Sequence, residues 1–190
     1  LHIVETVLDP GFRRNERFGI EGNELMKLYS EQDANPAVVK SAPVAVIGYG
    51  SQGRAHALNL KNSGVEVIVG LRKGAPTAKR AGEDGLEVAS VAEATRQAKL
   101  IAMLTPDMTH EKIFAEDVAP NLKGGDALLF AHGFTVLYGR VNPPKNVDVI
   151  MVAPKGPGDL VRREYEKGRG VPCLFAVHQD ATGKAKEKAL

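Results

Sequence analysis

Val44-Ala45-Val46-Ile47-Gly48-Tyr49-Gly50-Ser51-Gln52-Gly53 decides the fold. Four consecutive apolar residues, three of them β-branched, run into Gly-x-Gly-x-x-Gly. That is the pattern of a buried parallel strand turning sharply into a helix. Gly48 is read as permitting the tight turn, Gly50 as letting a pyrophosphate approach the backbone, and Gly53 as letting the helix pack on the strand. The first free N–H groups of the helix then point at an anion.

The flanking residues strengthen this reading. Ser51 to Asn62 carries Gly53, Ala57 and Leu60 on one helical face, and Ser63-Gly64 supplies a stop. Val65 to Leu71 (VEVIVGL) reads as a second strand and completes a βαβ unit. The alternation continues through a short strand at 85–88, a helix over 91–97 capped by Ser90 with Glu93, and a buried strand at 99–104. Further strands are expected at 126–130, 147–152 and 171–177, with helices over 159–167 and 182–190. The fold class is therefore α/β: a Rossmann-like, doubly wound, mostly parallel sheet with helices on both faces.

Composition excludes several functions. The 190 residues, 43% of them hydrophobic, suit one α/β domain of ordinary size. With 25 basic and 23 acidic residues, and 5% aromatics without Trp, there is no case for a nucleic-acid partner. No run approaches the about 18 apolar residues of a membrane span, so no membrane partner is expected. The lone Cys173, in VPCLFAV, cannot form an internal disulfide and reads as a buried strand residue. Residues 1–25 match neither a secretory signal nor an acid-poor transit peptide, and they begin at Leu1. They are read as an extension, a processed end or an added segment. The domain proper is expected from Met26, with a short edge strand at 26–29 and a helical turn or short helix at 33–40.

The turn after the second strand selects the cofactor. An acidic residue there would bind the ribose 2′-OH of NAD, but this chain has Arg72 and Lys73, with Thr77, Lys79 and Arg80 behind. Guanidinium and ammonium groups suit a 2′-phosphate, so NADP(H) is expected over NAD. Segments carrying His110, His132 and Lys155 follow the carboxyl ends of parallel strands, where open α/β sheets bind ligands. His132, between Ala and Gly, is placed to face a ligand. Lys155 could set a fixed positive charge beside a carboxylate or oxyanion. On residue chemistry alone it could equally be a solvent-facing loop lysine.

The segments VAVIGYGSQG, AHALNLKNSG, LRKG, LTPDMTH, FAHGF, MVAPKGPGDLVRREYEKGRGVP and AVHQDATGKA resemble the N-terminal domain of ketol-acid reductoisomerase (acetohydroxyacid isomeroreductase) over residues 26–190. FAHGF and VAPKGPG are not generic features of dinucleotide domains, and their order after the Gly-rich loop also agrees. The resemblance implies an enzyme of branched-chain amino-acid (valine, isoleucine, leucine) biosynthesis that uses NADP(H) and Mg²⁺. It shifts an alkyl group in 2-acetolactate or 2-aceto-2-hydroxybutyrate and then reduces the resulting keto acid. It further implies that Tyr49, Ser51 and Gln52 cradle the pyrophosphate with Gly48, Gly50 and Gly53. Arg72 and Thr77, with Lys73 beside them from the basic turn, would meet the 2′-phosphate, Asp107 to His110 and Gly158 would line the cofactor, and His132 and Lys155 would be catalytic.

By the same resemblance the magnesium ligands are carboxylates of an all-helical C-terminal domain that this chain lacks, so no metal ligand is expected here. A small-molecule acetohydroxy acid as substrate, homo-oligomer formation at full length, and a cytoplasmic (prokaryotic) or plastid (plant) location are implied as well. His110 and Ala75 stand where the family often has Gln and Ser, which puts those two contacts in doubt. Arg54 stands where His is frequent and is expected on the exposed side of its helix. Two other readings compete: a freestanding, non-catalytic NADP-binding module acting through a partner, and another small NADP-dependent reductase.

Overall fold

The computed structural model describes residues 2–7 and 27–190. In chain order the elements are β1 (His2–Val7), β2 (Leu28–Tyr29), α1 (Ala37–Lys40), β3 (Val44–Ile47), α2 (Ser51–Asn62), β4 (Val67–Gly70), α3 (Thr77–Glu83), β5 (Glu87–Ala89), α4 (Val91–Gln97) and β6 (Leu100–Met103). There follow α5 (Asp107–Ile113), β7 (Ala127–Phe130), α6 (Phe134–Leu137), β8 (Asp148–Pro154), α7 (Gly158–Glu166), β9 (Cys173–Gln179) and α8 (Ala185–Ala189). Among the described residues these strands form one nine-stranded sheet in the order β2-β1-β9-β8-β7-β6-β3-β4-β5.

From β5 to β8 every pairing is parallel. Counted from β3, that block has the 3-2-1-4-5-6 order of a doubly wound dinucleotide domain, with its switch point between β3 and β6. β9 pairs antiparallel with β8, and β1 antiparallel with β9. The sheet is thus mostly parallel, as the run of buried β-branched strands requires. The chain segment read as an extension contributes β1 to the sheet; the rest of 1–25, and Met26, lie outside the described residues. The edge strand expected at 26–29 is found at Leu28–Tyr29.

Alternation along β3 explains why helices cover both faces. Val44 and Val46 join one core with Ala57 and Leu58 of α2, Ala81 of α3 and Ala185 of α8. Ala45 and Ile47 point the other way, into a second core with Val91 and Ala94 of α4 and with Phe114 and Val118 beyond α5. Burying each large side chain in such a layer contributes roughly 1.5–3 kcal/mol. Helix starts follow local chemistry: the Ser90 hydroxyl accepts from the Glu93 N–H while the Ser90 N–H donates to the Glu93 carboxylate.

Two fully buried acids lock the opposite end of the sheet. Asp126 takes Lys99 at 2.9 Å. Asp148 accepts from Lys188 Nζ, from the Thr182 hydroxyl and from the N–H groups of Ala181 and Thr182, which pins α8. Burial pushes the Asp148 carboxyl up, but the bonds from Lys188 and Thr182 outweigh it and hold it below the usual range. Among the described residues no helix is long and apolar enough to cross a membrane.

Candidate functional site

The carboxyl ends of β3, β4 and β6 open into a cavity of about 680 Å³. Its walls include Gly48, Tyr49 and Gly50 on one side, Arg72, Pro76 and Thr77 on a second, and Thr105, Met108 and Lys112 on a third. Crevices of this size at a switch point are where dinucleotides sit.

The three glycines have distinct steric reasons. Gly48 has φ +99°, and a Cβ there would meet Thr105 Cγ2 at 2.7 Å. A Cβ on Gly53 would overlap the Gly48 carbonyl oxygen, so helix α2 can lie on the turn only without one. A Cβ on Gly50 would meet nothing within 4 Å. That open space above the N-terminus of a twelve-residue helix fits a phosphate, which the free N–H groups attract.

Arg72 and Thr77 reach the cavity wall, as expected of groups that would take a 2′-phosphate. Lys73 stays exposed on the turn and is not part of that wall. The basic stretch behind Arg72 is not a loop throughout: Thr77–Glu83 is the helix α3, and Thr77 is its first residue.

Other residues act differently from the expectation. His110 is 2% exposed and lies behind the wall, not on it. Its Nε2 lies 2.8 Å from the Thr105 carbonyl and its Nδ1 3.2 Å from the Thr135 hydroxyl. It therefore braces the loop after β6 against α6, and burial lowers its pKa. Asp107 opens α5, half-buried, with its carboxylate 4.0 Å from that ring. Gly158 is buried against Ser51, whose carbonyl a Cβ would overlap. Gln52 donates from Nε2 to the Gly156 carbonyl at 2.8 Å, while its Oε1 is buried without a partner. Together Gly158 and Gln52 fasten the Pro154–Gly158 loop to the start of α2.

Arg54 is not on the exposed side of its helix. Its guanidinium bonds both oxygens of Asp84 at 2.8 and 2.9 Å, and the buried Tyr49 phenol donates to the same carboxylate at 2.8 Å. The Arg54 bonds, against the opposing effect of burial, bring Asp84 down to about 2, whereas burial first and Asp84 second push the Tyr49 phenol up. Sequence reading missed this triad, since its partners lie 30 and 35 residues apart. It also missed Lys112 as a cavity wall, whereas Met108 and Thr109, within the stretch 107–110 expected to line the cofactor, are on it.

Outside the lining of this cavity, His132 follows β7 and Lys155 follows the neighbouring β8. Both are exposed. The Phe134 N–H donates to His132 Nδ1 at 3.2 Å, so neutral His132 carries its proton on Nε2 and offers it outward as a donor. The Lys155 backbone N–H is tied to the Pro172 carbonyl at 2.8 Å. Cys173 is partly buried, and burial raises its thiol to about 11, which fits an inert strand residue.

A family model described as acetohydroxy acid isomeroreductase, NADPH-binding domain, matches residues 38–190. The chain belongs to this family. A solved NADH-preferring ketol-acid reductoisomerase from an uncultured archaeon is 41% identical, with a TM-score of 0.81 over 84% of this chain and 50% of that one. The present chain thus spans half the length of that reductoisomerase. More distant structures share the fold alone. An NAD-binding semialdehyde dehydrogenase protein from Cupriavidus necator is 23% identical, with a TM-score of 0.54 over 60% of this chain and 41% of that one. The 3-hydroxyisobutyrate dehydrogenase of Mycobacterium tuberculosis is 18% identical, at 0.51 over 65% and 44%. The isomeroreductase domain accounts for the glycine cradle and for the cavity walled by Arg72 and Thr77, which fit NADP(H). Among its described residues no three His, Cys, Asp or Glu side chains converge as a metal site.

Proposed function

We propose that this chain is the NADPH-binding half of a ketol-acid reductoisomerase that converts 2-acetolactate or 2-aceto-2-hydroxybutyrate to the dihydroxy acid in branched-chain amino-acid biosynthesis. The observation that carries this is the match of the isomeroreductase NADPH-binding domain to residues 38–190, with Arg72 and Thr77 on the wall of the glycine cleft. When bound, NADPH supplies the hydride for the reductive step.

The chain's own residues then have these parts. The open backbone at Gly50 and the first N–H groups of α2 receive the pyrophosphate. The Arg72 guanidinium and Thr77 hydroxyl take the 2′-phosphate, which favours NADPH over NADH even though one relative prefers NADH. His132 Nε2–H donates to a substrate oxygen, and the Lys155 ammonium balances carboxylate or alkoxide charge. Mg²⁺ does not fit a cluster among the described residues, so no step is assigned through it here. By the family resemblance its carboxylate ligands would come from a helical half outside this chain. Homo-oligomer formation at full length, and a cytoplasmic site in a prokaryote or a plastid site in a plant, rest on the family resemblance alone.

The test is an assay of the chain with NADPH, Mg²⁺ and 2-acetolactate, alone and joined to a helical metal-binding half. The expected result is cofactor binding alone and turnover only when joined. Turnover by the chain alone would overturn the assignment of the metal ligands, and absence of NADPH binding would overturn the function.

A further inference from the structure

Asp84 does not itself line the cavity, yet its carboxylate joins two of the elements that form it. Tyr49 reaches it from the phosphate turn, and Arg54 reaches it from α2 with two bonds. Lys61, also on α2, donates to the carbonyls of Asp84 and Gly85 at 3.0 and 2.7 Å. All three donating side chains belong to the glycine-turn unit. Asp84 itself is the residue that ends α3, the helix whose first residue is Thr77.

Helix α3 is held to the core mainly through Ala81 and, in part, Ala78. Of its seven residues only Ala81 is fully buried, and Lys79, Arg80 and Glu83 are exposed. A seven-residue helix is only about 10 Å long, so a displacement at its last turn is passed to its first. Removing the carboxylate would also leave the buried Tyr49 hydroxyl without its acceptor, a cost that the helix end could relieve by moving.

We propose that Asp84 is a positioning residue for the 2′-phosphate subsite: by clamping the carboxyl end of α3 to Tyr49 and Arg54, it fixes where Thr77 and the Arg72 turn meet the ligand. The inference rests on the NADPH reading given above. Because NADH has no 2′-phosphate, it makes little use of that end of α3. Loss of the clamp therefore changes the preference between the two cofactors and does not weaken both equally. The carboxylate stays ionised under all ordinary conditions, so the clamp is permanent.

The test is titration of NADPH and of NADH into the wild-type chain and into Asp84→Asn, Arg54→Met and Tyr49→Phe, with the melting temperature of each recorded. Asp84→Asn should weaken NADPH by about tenfold, the scale of one charged hydrogen bond, and NADH by less than about twofold. Arg54→Met and Tyr49→Phe should lower the NADPH-to-NADH preference in the same direction by smaller factors. A fall in melting temperature with the preference ratio intact, or equal losses for both cofactors, would overturn the proposal and leave Asp84 merely structural. If Asp84→Asn does not fold, Tyr49→Phe decides on the same ratio. Failure of the wild-type chain to take NADPH would instead overturn the cofactor reading itself, and the clamp with it.

Discussion

The two ends of the cleft are built differently. At the adenosine end, a cavity of about 680 Å³ is walled by backbone whose shape the glycines permit, and its supports are tied together behind the wall by Asp84, Arg54 and Tyr49. Beyond that cavity, His132 and Lys155 are exposed on adjacent strand ends; the Phe134 N–H bonds the His132 ring, and the Lys155 backbone N–H bonds the Pro172 carbonyl. A binding site needs shape, and shape here comes from packing within the chain. Proton transfer and charge stabilisation need groups that face outward, the part proposed for the exposed His132 and Lys155. Binding and chemistry should therefore respond to different mutations.

The largest effect should come from the adenosine end. Gly53→Ala forces a methyl group into the Gly48 carbonyl, and about 1–3 kcal/mol of stability should be lost together with most NADPH affinity. Gly50→Ala has open space at its Cβ, so denaturant melts should show wild-type stability while the phosphate, displaced by the methyl, binds more weakly. If both variants behaved alike, the division between turn packing and phosphate access would be wrong.

Next in size is Arg72→Asp. Loss of a charge-assisted contact of roughly 1.5–3 kcal/mol should weaken NADPH by at least about tenfold and leave NADH nearly unchanged, as read by fluorescence titration. Equal weakening would place Arg72 outside the 2′-phosphate contact.

A smaller effect concerns pH and belongs to the packing behind the cleft. His56 has a buried Nε2 without a partner, and burial lowers its pKa to about 4. Its folded pKa lies below the unfolded value of about 6.5, so the unfolded chain binds the extra proton as pH falls. Stability should thus drop between about pH 6.5 and 4, by up to about 3 kcal/mol. The buried His110 shifts in the same direction. Urea melts of His56→Gln across that range should show a shallower acid slope. An unchanged slope would mean that His56 is not buried in its neutral form.

Smallest of all should be the effect of His132→Gln on binding. NADPH affinity and melting temperature should stay within error, whereas turnover of a joined, complete enzyme should largely vanish. Parallel loss of affinity and rate would merge the two ends of the cleft into one site.

The sequence disclosed the frame of this molecule because the frame is local. Helix 51–62 was legible from end to end, and each buried β-branched run became a strand. Ser90 and Glu93 announced their helix through a capping box that the structure contains. Short helices were less legible: no helix was expected at α3 or α5, since seven residues make barely two turns and show little period. Tertiary pairs were not legible at all. Nothing near Arg54 indicates that its guanidinium turns to Asp84, and nothing near His110 indicates that Thr105 and Thr135 enclose it. Gly158 was expected beside the cofactor by family resemblance alone, and nothing near it in sequence indicates that its small size lets it lie against Ser51. The tight turn at Gly48 and the close packing at Gly53 were legible because their spacing encodes their geometry.

The claim that the adenosine end is a finished NADPH site is tested most directly by calorimetric titration of the unmodified chain with NADPH and then NADH under identical salt and pH. The account predicts one site per chain and at least about tenfold tighter binding of NADPH, through Arg72 and Thr77. Equal affinities, or tighter NADH as in the archaeal relative, would contradict it.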